Sequence, residues 1–305
     1  MDVIEVAGLR KEYPRLRGGR TVALDGLDLS VPEGGVFGFL GPNGAGKTTT
    51  IRCLLGLVRA SGGRGRLLGA DVPGGLPAVV GRVGSIVETP AAYPRFSGRT
   101  NLALLAKVAG VGRSRVREVL EQVGLAERAD DLVRTYSFGM KQRLGIATAL
   151  LKDPELLLLD EPAIGLDPAG IVEVRELIRR LGAEGRTVFV SSHILTEVQQ
   201  VADRVAILSR GRAVASGPVG EVLSGGRAAE LVVRLNDVSA GLRALAEAGI
   251  DARALDDRLL VALPPDKSSL VTRTLAERGL YLSELRVEEA DLETVFLELT
   301  EGDQR

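Results

Sequence analysis

A glycine-rich segment constrains the fold of this chain more than any other part of its sequence. Residues 41–48 read GPNGAGKT and fit the spacing G-x-x-x-x-G-K-[ST] at every position. They follow an apolar, strand-like run at residues 36–40 and precede helix-compatible sequence. A glycine turn in this context points successive backbone N–H groups at phosphate oxygens, and the following helix adds its partial positive charge. A glycine turn without a ligand would not explain the strand–loop–helix order, so we predict a nucleotide-binding loop.

Two side chains of this loop bring charge and metal-binding chemistry. Lys47 supplies a mobile cation for the β- and γ-phosphates of a nucleotide, and the Thr48 hydroxyl can take a coordination position on Mg²⁺. The other loop residues expected to bind the nucleotide are Gly41, Asn43, Gly44, Gly46 and Thr49.

The length, net charge and cysteine count of the chain narrow the class of protein. A length of 305 residues favours one large domain plus one small one. Lys and Arg number 39 against 40 Asp and Glu, so the net charge of −1 gives no electrostatic footprint for nucleic-acid binding. The single cysteine, Cys53, excludes an internal disulfide and favours a reducing compartment; we expect it to be a buried core residue. Without a signal peptide or a run of about 18 apolar residues, we expect a soluble, cytoplasmic protein.

Two adjacent carboxylates follow a run of four leucines. Residues 156–159 are all leucine, and Asp160, Glu161 and Pro162 close the run. Such a run, bounded by turn residues, is typical of a central strand in a parallel sheet. Strand ends are where α/β sheets hold their ligand chemistry. Structural pairing of the carboxylates is the alternative, but no fixed basic partner is evident nearby, so we favour a functional interpretation.

His193 is the only histidine of the chain. A lone histidine is more often a structural residue than a catalytic one. However, His193 follows Ser191 and Ser192 at the end of a β-branched strand, residues 187–190. We expect this strand to neighbour the phosphate loop, which favours a functional histidine.

Two further residues have an ordinary and a functional interpretation, and a third lies at a strand end. Tyr13 precedes a basic loop at residues 15–20 and is either an ordinary loop aromatic or a platform that stacks on adenine. Ser137, in the segment YSFGM, is favoured as a plain helix cap, although an exposed helix N-terminus also binds anions. Glu88 lies at a strand end, where Pro90 stops the ladder.

A helical block interrupts the alternation of strands and helices. Residues 99–150 are predicted to be almost wholly helical, with apolar residues at three-to-four spacing. We expect this block, at about residues 90–152, to form a subdomain within a nucleotide-binding domain of residues 1–223.

The tail is predicted to be a separate domain of residues 228–305. Its pattern is β-α-β-β-α-β, a ferredoxin-like plan, followed by a last helix at 291–299. It has no histidine, cysteine or phosphate loop. A packing or dimer-stabilising role is favoured, and a regulatory ligand site is the alternative.

Together these segments resemble the motifs of ATP-binding-cassette (ABC) ATPases, the soluble subunits of ABC transporters, in the family's order over residues 1 to about 220. GPNGAGKT resembles the Walker A loop, LLLLDEP the Walker B strand, YSFGM the signature sequence and GLDP the D-loop. His193 falls where the family has its switch histidine, and Tyr13 is similar to its A-loop aromatic. The resemblance implies an α/β fold with a mostly parallel sheet, an antiparallel β subdomain, an inserted helical subdomain and a small α+β C-terminal domain.

Three positions depart from the family pattern. Glu88 stands where the family has its Q-loop glutamine. Phe138 and Met140 stand where glycine and glutamine are commoner in the signature, and Ala163-Ile164 replaces more polar residues ahead of the D-loop. The first two departures resemble the bacterial branch that includes antibiotic-resistance and drug-export ATPases.

The resemblance also implies roles for the site residues, with ATP and Mg²⁺ as ligands. Thr48, Asp160 and Glu88 would lie at the metal, Glu161 would be the base that polarises the attacking water, and His193 would position the γ-phosphate. A further group would face the nucleotide of a second copy, which implies a head-to-tail homodimer with two ATP; it comprises Ser137, Gly139 and Asp167.

The function implied is an ATPase on the inner face of the cell membrane that drives a separate permease, with an exporter favoured and no nucleic-acid partner. A soluble ABC protein of translation or DNA repair is the alternative, but such proteins carry two cassettes or long coiled-coil insertions, which are not evident here. A P-loop small-molecule kinase would not need the signature, D-loop and histidine together.

Overall fold

The computed structural model describes residues 1–15, 18–87, 92–224, 230–288, 292, 295 and 296. The described chain divides into two compact units, Met1–Val219 and a second within Gly220–Glu298. None of the helices among these residues is long and apolar enough to cross a membrane.

The larger unit mixes strands and helices, as the sequence predicted. Its elements, with the helix that leads out of it, are β1 (Asp2–Pro14), β2 (Arg20–Pro32), β3 (Gly35–Leu40), α1 (Lys47–Leu54), β4 (Gly62–Leu67), β5 (Ala70–Val72), α2 (Leu76–Val79), β6 (Val83–Ile86), α3 (Gly98–Ala109), α4 (Arg113–Gln122), α5 (Phe138–Leu150), β7 (Leu156–Asp160), α6 (Pro168–Ala183), β8 (Thr187–Ser192), α7 (Leu195–Gln199), β9 (Arg204–Ser209), β10 (Arg212–Pro218) and α8 (Val219–Ser224).

A six-stranded sheet in the order β10-β9-β3-β8-β7-β6 is the frame of this unit. All neighbouring pairs are parallel except β9 with β10. Every residue of β7 and β8 is buried, as expected for parallel strands covered on both faces. The register places Leu40 opposite Ser192 and Asp160 opposite Ser191, so the carboxyl ends of three strands meet at one edge.

Each face of this sheet has its own core. Leu156 and Leu158 point into a core shared with the antiparallel sheet β2-β1-β4-β5, where the rings of Phe37 and Phe189 stack at 5.8 Å. Leu157 and Leu159 point into the other core, with residues of the helical region. The alternation follows from the two-residue period of a strand, and it fixes β7 between two layers.

The helical block is less continuous than predicted. Three helices replace the single block: α3 ends at Ala109 before Gly110, which adopts a left-handed φ of 71°, and α4 is followed by Gly124, with a φ of 67°. Beyond α4, a 3-10 turn precedes α5, and the Tyr136 hydroxyl braces this segment by donating to the Arg128 carbonyl at 2.7 Å. Glycines that tolerate the left-handed region end the helices here.

Helix α1, which follows the loop, ends at Leu54, and Gly56 follows shortly after it with a φ of 67°. Cys53 on this helix is buried, as predicted, and burial raises the pKa of its thiol.

The smaller unit has the element order β-α-β-β-α-β. Its sheet has the order β12-β13-β11-β14 with every neighbouring pair antiparallel, and one core lies between this sheet and its helices. Most of the last helix expected at 291–299 lies outside the described residues. The elements are β11 (Glu230–Leu235), α9 (Val238–Glu247), β12 (Ala252–Leu255), β13 (Arg258–Val261), α10 (Ser268–Ala276) and β14 (Leu282–Glu288).

Candidate functional site

The glycine-rich loop joins β3 to α1 and lies close against neighbouring backbone. Gly46 caps α1 in a left-handed conformation with a φ of 112°, and a Cβ there would lie 2.7 Å from the Ala23 carbonyl. A Cβ at Gly41 would lie 2.6 Å from the Leu208 carbonyl. Glycine is therefore required at both positions. Because α1 begins directly after the loop, the N–H groups of its first turn, which have no partner within the helix, lie at the loop.

Lys47 lies beneath this loop rather than in solvent. Its side chain is only 5% exposed, and its Nζ donates to the carbonyls of Gly41 at 2.6 Å and Pro42 at 3.2 Å. The same Nζ lies 3.2 Å from Oε1 of Glu161. The sequence showed no fixed basic partner for the strand-end carboxylates. That expectation was wrong, because Lys47 is distant in sequence but lies beside Glu161 in the fold.

Glu161 is held at both oxygens. Oε2 lies 2.8 Å from Nδ1 of His193, and because an ionised carboxylate can only accept, the imidazole Nδ1–H donates. The backbone of Glu161 has a φ of 49°, in the left-handed region that non-glycine residues rarely adopt. Such a conformation persists where the surrounding structure imposes it, and it is enriched at functional sites.

Ser191 is a site residue that the sequence analysis missed. Its hydroxyl donates to Oδ1 of Asp160 at 2.5 Å and accepts from the backbone N–H of Glu161 at 3.0 Å. Asp160 is 5% exposed, so this hydroxyl orients a nearly buried carboxylate. The available signal was the position of Ser191 at the end of a strand adjacent and parallel to that of Asp160.

The structure gathers a second cluster at the signature turn and the D-loop. Ser137 caps α5 by accepting from the Met140 N–H at 3.2 Å, and Asp167 caps α6 by accepting from the Gly170 N–H at 3.0 Å. A Cβ at Gly139 would lie 3.9 Å from the Cα of Gly170, so the two caps are neighbours. Among the described residues, no hydrogen bond or ion pair joins Ser137, Gly139 or Asp167 to Lys47, Glu161 or His193.

Tyr13 lies in β1, not in a loop, and is half-buried. It pairs with Thr21 of β2, two residues before the Ala23 carbonyl that lies against Gly46. The Lys11 ammonium lies 4.8 Å from the centroid of the Tyr13 ring.

The remaining loop residues lie at or near the surface. Asn43 and Gly44 are exposed, and Thr48 and Thr49 are half-buried in the first turn of α1. Glu88 lies outside the described residues.

The donors present fit Mg²⁺ bound jointly with phosphate. No group of three or more His, Cys, Asp and Glu within the described part of the chain could hold a metal alone. Thr48 and Asp160 supply one hydroxyl and one carboxylate, and Mg²⁺ usually takes one or two protein oxygens and completes its shell with water and phosphate. Gly41 and Gly46 close the glycine-rich loop against neighbouring backbone, and this loop is the cradle whose N–H groups would take that phosphate.

Known proteins match this chain over nearly its whole length. The family model described as "ABC transporter" matches residues 24–164. The bacitracin transport ATP-binding protein BcrA of Enterococcus faecalis is 37% identical over 303 residues, which cover 98% of this chain and 97% of that protein. The daunorubicin resistance ATP-binding protein DrrA3 of Streptomyces coeruleorubidus is 39% identical, with 99% and 97% covered. A solved dimeric ATP-binding cassette bound to ADP and phosphate matches with a TM-score of 0.63 at 22% identity, over 71% of this chain and 98% of that one. The chain belongs to the ABC transporter family, as an ATP-binding ATPase subunit.

Proposed function

We propose that this chain hydrolyses ATP to power a separate membrane permease that exports drug-like or antibiotic molecules, and that two copies close head to tail around two ATP. The observation that carries the proposal is the Glu161 carboxylate, held between Lys47 and His193 at the edge of the main sheet. Lys47 and His193 both contact this one carboxylate beside the glycine-rich loop, which suits phosphoryl transfer to water, where a cation stabilises the phosphates and a base positions the attacking water.

The phosphate loop and Lys47 bind the nucleotide. Phosphate oxygens are stronger acceptors than the carbonyls of Gly41 and Pro42, so the Lys47 ammonium turns to the β- and γ-phosphates of ATP. Mg²⁺, when bound, neutralises charge on these phosphates. Thr48 and Asp160 would hold the metal, and Ser191 orients Asp160 for this task.

Glu161 acts as the general base. Its carboxylate accepts a proton from water as the water oxygen bonds to the γ-phosphorus, and the bond from that phosphorus to the ADP oxygen breaks. The contact with His193 Nδ1 fixes the direction of the carboxylate. The other ring nitrogen positions the γ-phosphate as a donor, for which both ring nitrogens carry a proton.

The second cluster supports the two-copy arrangement. Ser137 and Asp167 lie on exposed turns at helix N-termini, with no bond to the phosphate loop of their own chain in the described residues. The N-terminus of α5 attracts anions, and a second subunit's nucleotide is the anion that would complete it. The matched solved cassette is a dimer, which agrees with this proposal.

An apolar surface on the helical region supports a membrane partner. Five side chains on or just before α3 are at least 40% exposed, and the most exposed, Val108, reaches 89%. Apolar patches of this kind mark interaction sites. The relatives named for bacitracin transport and daunorubicin resistance favour an exporter at the inner face of the membrane. The five side chains are Tyr93, Phe96, Leu104, Leu105 and Val108.

Site-specific crosslinking tests the partner. We expect a photo-crosslinking residue at Val108 to join the full chain to an integral-membrane protein in cells, and the same residue at Arg117 of α4, an exposed charged position, not to do so. The co-purified membrane protein should stimulate ATP turnover. Adducts of Val108 only with ribosomal or DNA-repair proteins would contradict the proposal and favour a non-transport ABC protein.

A further inference from the structure

The segment that carries His193 is anchored, within its own length, to β3, the strand that precedes the phosphate loop. We define the switch segment as residues 193–200, which include α7. Val198 of this segment is 3% exposed and packs directly on Gly38 of β3, where a Cβ would lie 2.3 Å from Val198 Cγ1. Gly38 precedes the phosphate loop by only a few residues. This contact therefore ties the position of the switch segment to that of β3.

Two arginines of α6 hold the far end of the switch segment. Arg175 Nη1 donates to the side-chain oxygen of Gln200, and Arg179 Nη2 donates to the Gln200 backbone carbonyl at 2.8 Å. The two arginines are four residues apart and so share one face of α6. A single residue, Gln200, thus receives both guanidinium groups.

Arg175 also faces Glu197 in an incomplete ion pair. Arg175 Nη1 lies 3.9 Å from Glu197 Oε2, with the two side chains 21% and 28% exposed. Arg175 Nε and Glu197 Oε2 are both buried, and neither has a hydrogen-bond partner among the described residues. The Arg175–Glu197 pair is therefore open, and the hydrogen bond to Gln200 is the closer contact of Arg175.

We propose that Arg175 is a positioning residue for ATP hydrolysis, which acts by holding the switch segment so that His193 meets Glu161. Arg175 lies on α6, whose N-cap is Asp167 of the second cluster. The Arg175–Gln200 contact therefore links the position of His193 to the helix that begins at the D-loop. This inference rests on the proposed roles of Glu161 and His193.

The test compares ATP turnover by purified full-length variants. Because small displacements at a reacting centre lower rates steeply, Arg175→Gln should lower kcat roughly 10–100-fold with little change in KM for ATP. Arg175→Lys should restore part of kcat. The double variant Arg175→Gln with Gln200→Ala should be no slower than Arg175→Gln alone, since both substitutions remove the same contact.

Arg180→Gln is the matched control, because Arg180 lies on the same helix but donates to the Gln122 carbonyl instead. It should leave kcat unchanged. The inference is overturned if Arg175→Gln keeps the kcat of Arg180→Gln, or if a loss of folded protein, measured by thermal unfolding, accounts for its lower turnover.

His193→Ala separates this inference from the proposed function. If His193→Ala loses turnover while Arg175→Gln does not, only the role of Arg175 is wrong. If His193→Ala keeps full turnover, the proposed site itself is wrong.

Discussion

Glu161 and His193 are joined by a 2.8 Å contact between a carboxylate oxygen and Nδ1 of the imidazole. The other oxygen of the same carboxylate lies 3.2 Å from the Lys47 ammonium. One carboxylate therefore links the glycine-rich loop, the end of β7 and the end of β8. Its direction is fixed at both oxygens, which is what a positioned base requires.

Replacing Glu161 by glutamine should separate binding from turnover. Glutamine keeps the shape of the side chain but cannot accept a proton from water, so ATP binding should persist. Loss of a positioned base typically lowers the rate about 10²–10⁴-fold, or roughly 3–5 kcal/mol. Turnover is measured in the assembled transporter. Glu155→Gln is the control, because Glu155 lies just before the other end of β7, and this variant should keep the wild-type rate of hydrolysis. Near-normal hydrolysis by Glu161→Gln would refute the role of Glu161 as the base.

Removal of the Lys47 ammonium should weaken nucleotide binding. The ammonium reaches both the loop carbonyls and Glu161, so Lys47→Ala deletes the cation of the cradle. A lost hydrogen bond to a charged group is worth about 1.5–3 kcal/mol, which corresponds to roughly a 10–100-fold rise in Kd. Equilibrium binding of a fluorescent ATP analogue measures this. Lys152→Ala, an exposed lysine after α5, is the control; equal Kd values for the two variants would mean that the loop is not the phosphate site.

Ser191→Ala should reduce Mg²⁺-dependent turnover. The substitution leaves Asp160 without its hydroxyl donor and removes an acceptor of the Glu161 N–H. Loss of a group that orients a metal-binding carboxylate typically lowers affinity or activity about 10–100-fold. The measurement is turnover against Mg²⁺ concentration, with Ser209→Ala, a buried serine at the end of β9, as control. An unchanged Mg²⁺ dependence would exclude this role for Ser191.

The phosphate loop and the strands beside it could be predicted from sequence because both depend on residues that are close together in the chain. The spacing of Gly41, Gly46 and Lys47 specifies the turn, and unbroken apolar runs specify buried parallel strands. Local order also predicted the cap at Ser137, because serine before a helical run accepts from the first free N–H groups.

The contacts between elements could not be predicted in the same way. The pairing of Lys47 with Glu161, and of Ser191 with Asp160, depends on which strands become neighbours and in what register. Gly110 shows a different failure: periodicity extended a helix through it, although a left-handed glycine is a common helix end.

Asp153→Asn should reduce stability at neutral pH but not in acid. Asp153 accepts from Arg186 and Arg115, each at 2.9 Å, and the hydrogen bond from Arg186 is the main reason that its pKa is lowered. A lowered pKa stabilises the fold above the unfolded value of about 3.9, and this contribution is lost as the pH falls through the folded pKa. Asparagine also tolerates the left-handed φ of 51° at this position.

The expected loss for Asp153→Asn is at most about 1 kcal/mol at pH 7, because the carboxylate is 65% exposed and solvent screens the pair. Urea unfolding at several pH values measures it. The difference from wild type should shrink below about pH 4, and Asp251→Asn, an exposed control, should show none. A difference that stays constant with pH would mean that charge is not its source.

Ser137→Arg tests whether each ATP site draws on both chains. Ser137 is exposed at the N-terminus of α5, and its own phosphate loop is untouched by the change, so ATP binding to the monomer should persist. The bulky side chain should block closure of the ATP-bound dimer. Loss of the cap itself costs about 1 kcal/mol. Ser97→Arg controls for that loss, because Ser97 caps α3 by the same kind of bond, accepting from the Thr100 N–H at 3.1 Å.

A mixed dimer makes the distinction sharper. A Ser137→Arg subunit combined with a Lys47→Ala subunit keeps one site intact and damages the other twice, if each site uses the phosphate loop of one chain and the signature turn of its partner. If each chain held a complete site, both sites of the mixed dimer would be damaged. We therefore expect the purified mixed dimer to trap one ATP, while the two homodimeric variants trap none. An assembled mixed dimer that traps no ATP would show that the site is not shared between chains.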